Sequence, residues 1–157
     1  MLQPPVHPAR PDPGRGTVRT ECGEDGGDVA GWDDLVSYVR VRYEVMRQLE
    51  GELWFNLPTT GERTQLVVVR RVTGPDGEPW AQIASPICKV DDAELDELLG
   101  LASDCVVGGV VAVDGVTMFR HSIPLDDSAI AAFERSFQLV VATADRLEEQ
   151  VTGTDVH

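Results

Sequence analysis

One stretch constrains this chain more than any other: residues 116–151, where a strand runs into a long amphipathic helix. Val116, Thr117, Met118, Phe119 and Ile123 give residues 116–123 a β-like, partly β-branched character. Pro124 stops the strand, and Asp126, Asp127 and Ser128 supply helix N-cap side chains. Ile130, Phe133, Phe137, Val140, Val141, Ala144, Leu147 and Val151 then recur mainly at gaps of three and four, which is one apolar stripe on a helix. The helix predicted over residues 128–151 is about 36 Å long at 1.5 Å per residue. A stripe of that length has to be covered, and the strands upstream are what can cover it.

Residues 32–50 predict a first helix. Trp32, Leu35, Val36, Val39, Tyr43 and Met46 make its stripe, Asp33 and Asp34 sit in its first turn, and Gly51 is a natural stop. Tyr38, Val41, Val45 and Leu49 form a second line on another side, so this helix wants two apolar neighbours. One reading buries it between the sheet and the last helix; the other gives that second line to a partner chain.

Residues 52–57, 64–73 and 79–87 predict a three-stranded antiparallel meander, its last turn made by Gly74-Pro75-Asp76-Gly77. Residues 90–102 predict a second helix, capped by Asp91 or Asp92, with Leu95, Leu98, Leu99 and Ala102 as its apolar face. Residues 105–113 and 116–123 flank Asp114-Gly115 and read as a hairpin. The order α-β-β-β-α-β-β-α predicts an α+β fold, a five-stranded antiparallel sheet with helices packed on it.

Residues 1–31 differ from the rest. They hold Pro4, Pro5, Pro8, Pro11 and Pro13 with six glycines and hardly any periodic apolar residue. That composition buries too little surface to offset ordering entropy, so a disordered arm is expected. Residues 32–153 then form one domain and residues 154–157 a tail. Of the net charge of −14, all but −2 falls outside the arm. So acidic a domain repels phosphate backbones and anionic membrane surfaces, and suits partners with basic segments. Solubility alone also accounts for the charge. Neither nucleic-acid nor membrane binding is expected. Lys89 is the one lysine among 13 basic residues, a coding bias that points to a GC-rich, actinobacterial source. No basic-then-apolar leader and no membrane-length apolar run occur, so a cytoplasmic location is expected.

Little in the chain spells a reaction. Cys22, Cys88 and Cys105 are widely separated, without metal-ligand spacing or a disulfide framework; no metal or other cofactor is expected. His121 is the one histidine inside the predicted domain. Ser122 beside it points to the opposite face of a strand, which leaves His121 without a poised nucleophile; a structural role at a strand end is the simpler reading. Arg120 could clamp a carboxylate of a partner or pair locally with Asp126. The acidic run Asp91, Asp92, Glu94, Asp96 and Glu97 lacks the glycine hinge of a calcium loop. Gly108-Gly109 lies within a strand rather than between a strand and a helix, which indicates a bulge or a close backbone approach, not a phosphate loop.

The aromatic residues carry more. Alternation sends Trp54 opposite to Leu53, Phe55 and Leu57, and Trp80 opposite to Ala81 and Ile83. If the aliphatic sides face the helices, both indoles lie together on the outward face, with Val67 or Val68 beside them according to register. Such a face suits peptide binding or a dimer contact, or is simply solvated.

With these elements in place the chain resembles the YbjN family, which shares the fold of the class I type III secretion chaperones. The resemblance is carried by Phe119-Arg120-His121-Ser122-Ile123-Pro124-Leu125, a strand ending in an Arg-His pair before Pro-Leu. It continues in Ala142-Thr143-Ala144-Asp145-Arg146-Leu147-Glu148 of the closing helix, and it covers about residues 32–151. It implies a non-enzymatic protein, usually a homodimer, that holds a protein or peptide client on apolar surface. Trp54, Trp80, Val67, Tyr38, Val41, Val45 and Arg120 are the candidate contact residues. Two rival readings stand beside it: a structural or regulatory subunit acting as a homodimer, and a small enzyme using Arg120 and His121.

Overall fold

The computed structural model describes residues 29–126 and 129–152. Residues 1–28 of the expected arm and the tail, with Cys22, Asp127 and Ser128, lie outside the described residues; residues 29–31, expected in the arm, open the first helix instead. Within them the chain runs α1 (Val29–Arg42), β1 (Val45–Leu49), β2 (Glu52–Pro58), β3 (Thr64–Thr73), β4 (Pro79–Lys89), α2 (Leu95–Ala102), β5 (Gly109–Val113), β6 (Val116–Pro124) and α3 (Ala129–Thr152). The strands form one antiparallel sheet in the order β1-β2-β3-β4-β6-β5. The α+β class and the helices laid on an antiparallel sheet match the expectation. The sheet has six strands where five were expected.

The extra strand comes from the predicted first helix. That helix stops at Arg42, and Val45–Leu49 is the edge strand β1. Glu50 and Gly51 turn the chain back, with Gly51 at φ +67°, a conformation glycine takes at no steric cost. Leu49 then pairs with Glu52 and Val45 with Phe55. Val45 and Leu49 are four residues apart, a spacing that fits one helical turn and two strand repeats equally. The irregularity between Val45 and Arg47 turns Val45 to the helix side and Arg47 to the other, as a bulge does.

Other boundaries moved less. The second helix is shorter than expected: a single 3-10 turn at Val90–Asp92 precedes α2, which begins at Leu95. Strand β5 starts at Gly109, not at Cys105. Gly108 carries φ +79°, and a Cβ there would lie 2.7 Å from the Arg120 carbonyl oxygen. The close backbone approach expected at the glycine pair is therefore real. Asp114 and Gly115 both take positive φ, +51° and +78°, the geometry of a two-residue hairpin turn.

The core lies on one face of the sheet. Leu53, Phe55, Val67, Val69, Ala81, Ile83 and Phe119 meet Leu35 and Val39 of α1, Leu98 of α2 and Phe133, Phe137, Val140 and Leu147 of α3. The ring contact Phe55–Phe137 at 5.4 Å joins α3 to β2, and Phe133 stacks on Phe137 within α3 at 5.0 Å. Truncating any of these phenylalanines to alanine would cost about 3–5 kcal/mol. At its N-terminus α3 takes a backbone bond from the Ala129 amide to the Asp126 carbonyl, 2.9 Å. Its stripe is the predicted one, except that Ile130 is exposed while Ser136 and Asp145 are buried.

Candidate functional site

Two surfaces emerge from this arrangement. The first is a groove of about 790 Å³ between the C-terminal part of α3, the end of β2 and the residues that follow α1. Its floor is apolar: Tyr43, Leu57, Phe137 and Val141 line it. Charged groups rim it, among them Arg42, Arg146 and Glu149. The size falls within the range of ligand clefts, roughly 300–1,000 Å³.

Side-chain ties hold both walls. Glu134 on α3 accepts from the Tyr38 hydroxyl at 2.9 Å and from the Tyr43 hydroxyl at 3.1 Å. Burial first, and the Glu134 carboxylate second, raise the Tyr43 phenol above its ordinary range, so it stays a donor. On the other side Asp145, 7% exposed, is gripped by Arg63. The Arg63 guanidinium also donates to the Asp145 carbonyl at 2.8 Å, and the Thr59 hydroxyl donates to the Asp145 carboxylate at 2.9 Å. These bonds pin the β2–β3 connection to α3, and with it one lip of the groove.

The second surface is the sheet face away from the helices. Register settles its composition. Arg47, Trp54, Val68, Ala84 and Arg120 occupy successive strands of one row. Val68, not Val67, stands beside Trp54; Val67 is fully buried on the helix side and is no contact residue. Trp80 pairs with Val72 and Pro124, four residues along β3 from Val68 and so about 13 Å away at 3.3 Å per residue. The row between them holds Glu52, Arg70, Gln82 and Ser122, with Arg70 paired to Glu52 at 2.6 Å.

The two indoles thus share a face but do not meet, contrary to the expectation that they lie together. Trp54 is half-buried and donates to Glu52. Trp80 is half-buried against Gly74 of the β3–β4 turn, where any side chain would collide with the indole.

The remaining sequence candidates scatter. Tyr38 is half-buried between Glu134 and Arg42, whose guanidinium sits 4.7 Å from the ring centroid. Val41 is 88% exposed at the end of α1. Val45, expected on a helix, is on β1 and packs against the core. Arg120 lies on the outward face of β6 while His121, its neighbour, faces the helix side opposite Ile83. Burial alone lowers the His121 imidazole below its ordinary value, and Arg120 and His121 converge on no common site. Among the described residues no cluster of three or more His, Cys, Asp or Glu could hold a metal ion. No described helix is long and apolar enough to cross a membrane.

The groove was missed from sequence because Phe137 and Val141 read as core stripe and Leu57 as the buried side of a strand. They are all three, up to the point where α3 overhangs the end of β2. Arg63 and Asp145 gave one weak signal: an acid placed among the small apolar residues of a stripe.

No family model matches the chain, and no curated protein matches it in sequence. Solved structures do. A chain of the HopA1–SchA chaperone–effector complex superposes with a TM-score of 0.56 at 14% identity, over 78% of this chain and 98% of that one. A chain of the ExsC–ExsE complex gives a TM-score of 0.56 at 10% identity, over 80% of this chain and 97% of that one. At such identities the likeness is one of fold. The YbjN resemblance rests on residues 119–125 and 142–148 alone.

Proposed function

We propose that this protein holds an extended segment of another polypeptide and performs no bond chemistry. The observation that carries this reading is the groove: an apolar floor of about 790 Å³ with a charged rim, on a fold shared with a chain of a chaperone–effector complex. Apolar side chains of a client fill the floor, and the acidic domain selects clients with basic segments through its long-range field. Trp54 and Arg120, on either side of the buried Val68, offer a second contact on the opposite face. The YbjN-like ending of β6, an actinobacterial source and a cytoplasmic location belong to this same reading.

The groove is tested by filling it. Ala142 is exposed and lines it, so Ala142→Trp should block the floor without disturbing the core. Binding of a fluorescent, permanently unfolded basic polypeptide, followed by anisotropy, should weaken at least tenfold (more than about 1.4 kcal/mol) with an unchanged melting temperature. Undiminished binding would remove the groove from the proposal. If Trp54→Ala combined with Trp80→Ala weakens capture instead, the seat is the outer sheet face.

A homodimer is the second reading, and α2 favours it. Leu95 and Leu99 are 44% and 55% exposed on a helix that buries only Leu98. Light scattering should find a dimer at micromolar concentration, reduced to a monomer by Leu99→Arg.

A further inference from the structure

Backbone pairing between β3 and β4 runs from Thr73 opposite Pro79 to Val68 opposite Ala84. Toward Thr64 side chains join the two strands instead. Gln65, 1% exposed, donates from Nε2 to Ser85 Oγ at 2.9 Å and to the Pro86 carbonyl at 2.7 Å. Ser85 Oγ in turn donates to the Leu66 carbonyl at 2.8 Å. The Pro86 carbonyl can only accept, so it fixes which end of the Gln65 amide is nitrogen. Both amide protons are then committed, and Oε1 is left buried without a hydrogen-bond partner among the described residues. Buried acceptors are rarely left in that state.

Gln65 lines a pocket of about 310 Å³ at this end of the sheet. Leu66, Pro86, Ile87 and Val116 form apolar walls, and Glu148 reaches in from α3. Burial pushes the Glu148 carboxyl above its ordinary value, against the pull of Arg63 and with the help of Asp145. A Gln65 N–H turned to Glu148 would favour the charged form, but both protons of that amide are already given to Ser85 and Pro86. Lys89 also lines the pocket, is exposed, and forms no ion pair among the described residues.

We propose that this pocket binds the primary ammonium group of a lysine side chain. The complementarity is chemical. An ammonium has three donors and no acceptor; the pocket offers the Glu148 carboxyl group, and Gln65 lines it with its orphan amide oxygen buried in the wall. A lysine stem is apolar and packs against such walls while its head finds polar partners. An anion would meet two acceptors and the field of a chain with net charge −14. A guanidinium would meet the same acceptors with a broader, planar head, and the test separates the two. The source of the lysine, a basic segment of a held polypeptide, rests on the function proposed above; the pocket's affinity for an amine does not.

The experiment uses the full chain, isotope-labelled, with N-acetyl-lysine methylamide as the probe and its arginine and norleucine counterparts as controls. At neutral pH the lysine compound should give saturable shifts in the Gln65 side-chain amide and in the backbone amides of Leu66, Cys88 and Val116. The arginine compound should bind at least threefold more weakly, and norleucine not at all. Glu148→Gln should weaken lysine binding at least tenfold with an unchanged circular-dichroism spectrum. If that variant misfolds, the wild type serves: binding should fade as falling pH protonates Glu148, whose charged neighbours are Arg63, Asp145, Glu149 and Lys89.

Equal saturation by norleucine, tighter binding of arginine, or no shift at these residues into the high millimolar range would overturn the proposal. A failed Ala142→Trp assay would sink the groove and leave this result untouched, because the free amine needs no client.

Discussion

Single side chains decide several questions here that patterns leave open. His121 is shifted by burial alone, with no acid acting on it among the described residues. Its folded value lies below the unfolded value of about 6.5, so folding favours the neutral ring. The stability it contributes is complete above that unfolded value and is lost as the pH falls through the folded one. Proton NMR should therefore place its midpoint below about 6.5; a midpoint at or above that value would reveal a free or acid-paired imidazole. Glu148 works in the opposite sense, because its folded value is raised. Its ionisation costs stability at neutral pH, and the cost vanishes below the unfolded value of about 4.3. Glu148→Gln should thus melt a few degrees higher than the wild type near neutral pH, with the gap closing by about pH 4. A variant that melts lower at neutral pH would contradict this. The choice between Val67 and Val68 also belongs to this scale: alternation leaves it open, and only pairing with Trp54 resolves it.

At the level of elements, legibility followed the strength of the period. The long stripe of α3 and the Asp114-Gly115 hairpin were readable because each has its own local cause. The first helix was over-extended because Val45 and Leu49 satisfy two periods at once, and the strand wins by pairing with β2, a contact no local pattern encodes. The groove was unreadable for a related reason: it forms where α3 overhangs the end of β2, and register and overhang are tertiary facts. The tie that fixes this overhang can be measured. Arg63→Ala leaves Asp145 buried with only Thr59 as side-chain donor among the described residues. Breaking a buried pair costs several kcal/mol, and the partial exposure of Arg63 discounts that to about 1–3 kcal/mol. Urea denaturation with an unchanged slope should show the loss; a change below about 0.5 kcal/mol would mean the lip is held by packing alone.

For the whole molecule, charge and architecture act together. A net charge of −14 on 157 residues makes association with basic polypeptides sensitive to salt, since exposed charges farther apart than about 8 Å are largely screened at physiological ionic strength. Capture of the unfolded basic probe should weaken steadily with added sodium chloride, mainly through a slower association rate. Salt-independent capture would leave apolar contact as the whole of the selection. The groove draws no residue from α2, so the proposed client and the proposed second subunit need not compete for the same ground.

The way β3 and β4 are joined has a mechanical corollary. Near Thr64 their union depends on side-chain bonds from Gln65 and Ser85 rather than on peptide-to-peptide pairing, and Pro86 has no amide hydrogen to contribute. That margin can unzip while the rest of the ladder stays shut. Deuterium should enter the amides of residues 64–67 that point toward β4 well before those of residues 69–71 that do, the alternate amides being held by β2, and a lysine seated between β3 and β4 would close the seam.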